Sequence, residues 1–320
     1  MERRQFFGLL GIAAPLACHA QQLTRMPVIL WVSTEAQPDP FIEGFREGMK
    51  GRGYDEGRNL AFILRYAPAN PAGVQAMLPE LLAIPADLIV SSGPAILAMK
   101  AATEKPVLFA ISGDPVALGI AKTLARPGRN FTGTTFMSLE LAQKRVQLLK
   151  ELLPDLRTLA ILSNKNHPGE QAEHDVTDAA SDALGIRKAY VPFTSPSELE
   201  AGLARVHATN SDAMLVFPDG ITMVHRAKIA EFAKGNRLPS MFGWREYCEA
   251  GGLASYGANQ RSTYVRLAAY ADRLLRGERP EVLPIEQPTK LELVINLKTA
   301  TALDLKLPPS VLARADEVIE

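Results

Sequence analysis

Short apolar, β-branched runs alternate with helix-periodic stretches along nearly the whole chain, and that alternation admits few folds. Val28 to Val32, Leu60 to Tyr66, Leu88 to Val90, Val107 to Ile111 and Phe131 to Phe136 read as strands. Pro40 to Lys50, Val74 to Ala83 and Ala95 to Ala102 read as the helices between them. The pattern then restarts with a strongly periodic helix, Leu139 to Leu153, which stops at Pro154. Strands at Leu159 to Leu162, Ala189 to Val191, Ala213 to Phe217, Ser240 to Phe242 and Leu253 to Tyr256 follow. They are interleaved with helices Gly169 to Leu184, Ser197 to Val206 and Val224 to Lys234. Strand–helix alternation implies parallel strands with helices on both faces. Two arrays of similar size predict an α/β protein of two Rossmann-like lobes with parallel sheets, not one large sheet.

The last sixty residues do not make a third lobe. Arg261 to Arg276 is one long helix, Pro280 to Pro288 an irregular stretch with three prolines, and Leu291 to Leu297 a strand-like run. A short helical turn at Pro308-Pro309 ends the tail. The expectation is that this segment crosses back and ties the lobes together: 27–136 with 257–285 as the N-terminal lobe, 137–256 with 286–320 as the C-terminal lobe. No Gly/Ser-rich linker occurs, which fits a short hinge beside a central cleft better than independent domains.

The first twenty residues differ from the rest. Arg3-Arg4-Gln5-Phe6 opens an apolar stretch that ends in Cys18-His19-Ala20 before Gln21-Gln22. A charged start, a short apolar run and small residues at its end describe a signal peptide over 1–20, and the paired arginines point to twin-arginine export, with the general secretory route as the alternative. A mature chain starting near Gln21 in the periplasm is expected; lipid attachment at Cys18 is the competing outcome. The chain has two cysteines, so cleavage after Ala20 leaves Cys248 without a disulfide partner. Lys plus Arg and Asp plus Glu balance at 35 each, so no global field favours nucleic acid. No apolar run is long enough to span a bilayer.

Catalytic and cofactor signatures are missing from the sequence: no phosphate loop, no Gly-x-Gly-x-x-Gly after a strand, no nucleophile elbow, and no metal spacing among His19, His167, His174, His207 and His225. No cofactor is expected and no enzyme activity. Polar, glycine-bearing turns do sit at the carboxyl ends of the strands, where open α/β sheets bind ligands. Ser91, Ser92 and Gly93 precede Pro94, which suits a first helical position and leaves N–H groups free for an anion or for a plain cap. Ser112, Gly113 and Asp114 end the fourth strand in the same way. Asn164 and Asp219 hold the corresponding places in the second array, and either aspartate can cap a helix or face a ligand cation. Trp244 and Tyr256 stand where a cleft wall belongs; Trp31, inside the first strand, reads as core.

These residues also resemble a known family. Gly44-Phe45-Arg46-Glu47-Gly48, Glu56-Gly57-Arg58-Asn59, Gly113-Asp114-Pro115-Val116 and Leu124-Ala125-Arg126-Pro127-Gly128 match its first half. Trp244-Arg245-Glu246-Tyr247 with Ala250-Gly251-Gly252-Leu253 and Ser255-Tyr256-Gly257 is the most specific block. Gln287-Pro288-Thr289-Lys290, Ile295-Asn296-Leu297-Lys298 and Leu312-Ala313-Arg314-Ala315-Asp316-Glu317 complete it. The chain resembles the ABC-transporter substrate-binding proteins whose better-known members bind tryptophan, tyrosine or phenylalanine. The resemblance implies a type I periplasmic-binding fold with three hinge crossings, a small-molecule ligand between the lobes, an ABC permease and its ATPase as partners, and a monomer. One departure lies after Leu162: relatives often carry Asn-Pro there, whereas this chain has Ser163-Asn164 and then Asn166-His167-Pro168. A periplasmic sensor for a membrane signalling protein is the alternative function.

Overall fold

The computed structural model describes residues 25–34, 39–68 and 70–320. The expected signal peptide and Cys18 lie outside the described residues. The first sheet contains β1 (Val28–Ser33), β2 (Ala61–Tyr66), β3 (Leu88–Ser92), β4 (Val107–Ile111) and β5 (Phe131–Thr135), in the spatial order β2-β1-β3-β4-β5 and all parallel. Helices α1 (Ile42–Lys50), α2 (Pro71–Ala83) and α3 (Pro94–Met99) connect them. Strands β3, β4 and β5 are buried along their full length, as parallel strands covered on both faces must be. Pro71 opens α2 behind Asn70, whose side chain accepts from the Gly73 N–H and so supplies the cap.

The second lobe begins with α4 (Ser138–Leu152) and continues through β6 (Thr158–Asn164), α5 (Glu170–Ala183), β7 (Arg187–Phe193), α6 (Leu199–Ala208), β8 (Ala213–Val216), α7 (Gly220–Val224), α8 (Arg226–Gly235), β9 (Ser240–Phe242), α9 (Arg245–Glu249) and β10 (Ala254–Ala258). The chain then returns to the first lobe as α10 (Gln260–Leu275), which packs along α1. Gly44 and Gly48 permit that approach. A Cβ at Gly48 would stand 2.5 Å from the Val265 carbonyl oxygen and 2.6 Å from the Ala268 Cβ. Residues after α10 stay on the first sheet, where the Glu286 N–H donates to the Gly133 carbonyl and its own carbonyl accepts from Thr135.

The chain crosses a last time into β11 (Leu291–Asn296), α11 (Leu297–Ala302), α12 (Pro309–Leu312) and β12 (Glu317–Ile319). The second sheet thus has the order β12-β11-β10-β9-β8-β6-β7. It corrects the all-parallel expectation at one place, because β11 runs antiparallel to β10. The reason is topological: β6 and β8 to β10 run toward the hinge end, and a strand entering from the hinge must start there and run away from it. β12 corrects the tail, expected to end in helix, by pairing parallel to β11.

Among the described residues, three apolar clusters follow from this layout. One fills the α2–α3 face of the first lobe and one the α4 face of the second. The largest is continuous across both lobes, joining Trp31, Phe45 and Leu267 to Val216, Phe242 and Trp244. Among the described residues, no helix is long and apolar enough to cross a membrane.

Candidate ligand-binding cleft

The carboxyl ends of the two sheets face each other. After β4, Gly113 meets Pro168 and Gly169, which follow β6. A Cβ at Gly113 would lie 2.8 Å from the Pro168 carbonyl oxygen, and one at Gly169 would lie 2.8 Å from the Gly113 Cα. Nearer the hinge, aromatic rings close the gap. Phe41, just before α1, and Phe136, at the first crossing, pack edge-on against Trp244 at centroid distances of 6.4 and 5.7 Å. Tyr264 of α10 stacks on Phe41 at 5.2 Å. Trp31 is core as expected, and its indole N–H donates to Asp39 at 2.8 Å.

On the first lobe, Ser91 and Ser92 are the last residues of β3, both buried, and their hydroxyls have no hydrogen-bond partner among the described residues. Gly93 caps α3 at φ 58, ψ −145, a conformation that favours glycine, with Pro94 next. Ser112 is buried in the turn after β4. Asp114 is exposed and accepts from the Val116 N–H at 2.8 Å, the capping turn that its sequence position allowed.

On the second lobe, Asp219 caps α7: one carboxylate oxygen accepts from the Ile221 and Thr222 N–H groups at 2.8 and 3.3 Å. The other accepts from the Asn164 side chain at 3.0 Å. Asp219 and Asn164 are therefore brought together at the ends of adjacent strands, and both are buried. Trp244 joins the aromatic cluster. Tyr256 does not: its ring packs against the α4-side core, and only its carbonyl contributes here, accepting from Arg145 Nε at 2.9 Å.

Behind Asn164 and Asp219 lies a buried ionic network that sequence reading missed. Arg145 of α4 donates to Glu173 of α5 at 3.2 Å, with both side chains 2% exposed. Glu170 is also buried and lies 2.8 Å from the Ser163 hydroxyl. The Glu173 carboxyl stands raised to about 8: burial, the largest cause, pushes it up, Arg145 pulls it down, and Glu170 and Asp219 push it up. Three carboxyl groups thus cluster with one guanidinium, and Glu173, raised to about 8, is mostly protonated at neutral pH. Its signal was helical spacing. Glu170, Glu173, Thr177, Ala180 and Ser181 form the buried stripe of α5, and Arg145 sits between Leu141 and Leu148/Leu149 on that of α4.

A flank crevice of about 910 Å³ opens where α1 and α10 face α7 to α9, lined by Phe41, Tyr264, Glu246 and Gln260 among others. Gln260, directly after the second crossing, is buried and both its amide atoms have no hydrogen-bond partner among the described residues.

A family model described as ABC transporter substrate binding protein matches residues 26–319. The chain is 22% identical over 271 residues to a tyrosine-binding protein of Clostridioides difficile, covering 84% of this chain and 77% of that protein. Among solved structures, a conserved domain protein from Vibrio cholerae is similar at TM-score 0.83 with 24% identity, covering 92% of this chain and all of that one. An ABC domain in complex with L-Trp from Streptococcus pneumoniae is similar at TM-score 0.82, with 24% identity and the same coverage. The architecture is that of the type I periplasmic-binding fold.

Proposed function

The chain belongs to the ABC transporter substrate-binding protein family, and from that premise we propose that it is the periplasmic receptor of an importer, holding an amino acid, an aromatic one for preference, between its lobes. It performs no chemistry on that ligand and, as a monomer, delivers it to an ABC permease driven by its ATPase. The lobes follow the two sheets, so the second lobe keeps β10 through Ala258 and the first keeps the return segment through Glu286, slightly beyond the expected bounds of 256 and 285. One observation carries the reading: aromatic rings from both lobes meet beside a buried carboxylate wall at the strand ends. An aromatic amino acid has the matching parts, a ring and an ammonium group. Its carboxylate is assigned to the Ser91-Ser92-Gly93 turn, where two buried hydroxyls have no partner among the described residues. The ammonium is assigned to Asp219 first and Asp114 second, and the ring to Trp244, since the Tyr256 ring packs on the α4 side.

Titration calorimetry tests this with L-tryptophan, L-tyrosine and indole-3-propionate, which keeps the ring and carboxylate but lacks the amine. The expected result is saturable binding of at least one amino acid and weaker binding of the deaminated acid. Losing a charge-assisted hydrogen bond in a closed cleft costs roughly 1.5–3 kcal/mol, or about one to two decades of affinity. Asp219→Asn is expected to show a loss of that size. Equal affinity with and without the amine, or unchanged affinity in Asp219→Asn, overturns the ammonium assignment.

A further inference from the structure

We infer that Gly113 and Gly169 form a side-chain-free stop across the mouth of the cleft, so that backbone meeting backbone sets how far the lobes close. Gly113 lies in the turn after β4 of the first lobe and Gly169 directly precedes α5 of the second. A Cβ built on Gly113 meets the Pro168 carbonyl oxygen at 2.8 Å, the Pro168 carbonyl carbon at 3.2 Å and Leu118 Cδ1 at 2.9 Å. The leucine contact lies within one lobe, at the end of a flexible side chain, and can yield. The Pro168 contacts are backbone of the opposite lobe and yield only if the lobes part. Gly169 is constrained twice, since its φ is +91 and its own Cβ would stand 2.8 Å from the Gly113 Cα. Gly113 does not carry a positive φ, so a side chain there fits its own backbone and acts on closure alone. The apparent affinity of a protein whose binding-competent state is partly populated falls in proportion to that population. Residue 113 therefore governs affinity through closure, an inference that rests on the ligand lying between lobes that close.

Disulfide trapping tests the stop without any ligand. In a full chain carrying Cys18→Ser, cysteines placed by Asp114→Cys and Pro168→Cys flank the contact, and the remaining Cys248 is buried with its thiol pushed up to about 12. The expected result is a cross-link under mild oxidant that forms more slowly with Gly113→Ala and about tenfold or more slowly with Gly113→Val, the factor set by roughly 1.4 kcal/mol against closure. Unfolding midpoints of the reduced proteins should stay together; if the valine variant unfolds, the alanine variant decides. Equal rates in all three backgrounds, or no cross-link in the parent pair, overturns the inference. Failure of L-tryptophan and L-tyrosine to bind would strike the proposed ligand and leave this result standing.

Discussion

Replacing Arg145 with leucine should lower the unfolding free energy by about 3–5 kcal/mol at alkaline pH, because it leaves a buried carboxylate without its counter-charge. The guanidinium also donates to the Tyr256 carbonyl and lies within 3.3 to 3.5 Å of where Cβ atoms at Gly243 and Gly257 would stand. Its loss therefore loosens the ends of β9 and β10, next to Trp244. The pH dependence has a fixed sign. The folded Glu173 pKa, about 8, lies above its ordinary value of 4.5. Its contribution to stability is fully present below the unfolded value and is lost as the pH rises through about 8. Removing Arg145 takes away the one neighbour that pulls this pKa down, so the carboxyl ionises later still and at greater cost. The gap between variant and parent should accordingly be smallest near pH 5 and largest above pH 8. Replacing the whole pair, Arg145→Leu with Glu173→Leu, should recover most of the loss, since apolar residues of similar volume substitute well for buried ion pairs. Urea unfolding at the two pH values reads all three quantities. A pH-independent loss, or a double variant no better than the single one, contradicts the network as described.

Trp244→Ala should cost about 3–5 kcal/mol, the range for emptying a buried tryptophan site. The ring is 3% exposed and its edge-on contacts reach Phe41 of the first lobe and Phe136 at the crossing. Each such pair contributes about 0.5–1.5 kcal/mol beyond its buried area. Part of the loss therefore falls on the interface between lobes, not on either lobe's interior. Equilibrium unfolding followed by far-ultraviolet circular dichroism and by tyrosine fluorescence should change from one shared transition to two. A loss under about 1 kcal/mol with coincident transitions would mean that the rings touch without coupling the lobes.

The positions of most elements were legible because hydrophobic period and turn residues agree locally. Val107–Ile111 and Ser240–Phe242 are bounded by Pro or Gly and contain little but apolar residues, and both strands end where those signals put them. Strand direction was not legible, because a period of two is the same in either sense; β11 needed the crossing that precedes it. β12 was missed because three half-buried residues beginning with a glutamate carry almost no pattern. Asp219 and Trp244 stood out because each follows a strand directly. Tyr256 stood out because it ends the expected strand Leu253 to Tyr256, but it lies inside β10 and side-chain alternation turns its ring to the α4 side. Phe41 and Tyr264 gave no signal of their own: they are adjacent only once α10 returns to the first lobe and lies along α1. The glycine contact across the cleft was hidden for a related reason, since Gly113 and Gly169 read as ordinary turn residues until two lobes are docked.

Mass spectrometry of the small molecules released when the freshly purified protein is denatured tests the central claim most directly. One dominant species is expected in near-stoichiometric amount, bearing an amine, a carboxylate and an aromatic ring, and absent when Asp219→Asn is purified in parallel. A stoichiometric ligand with no amine would contradict it.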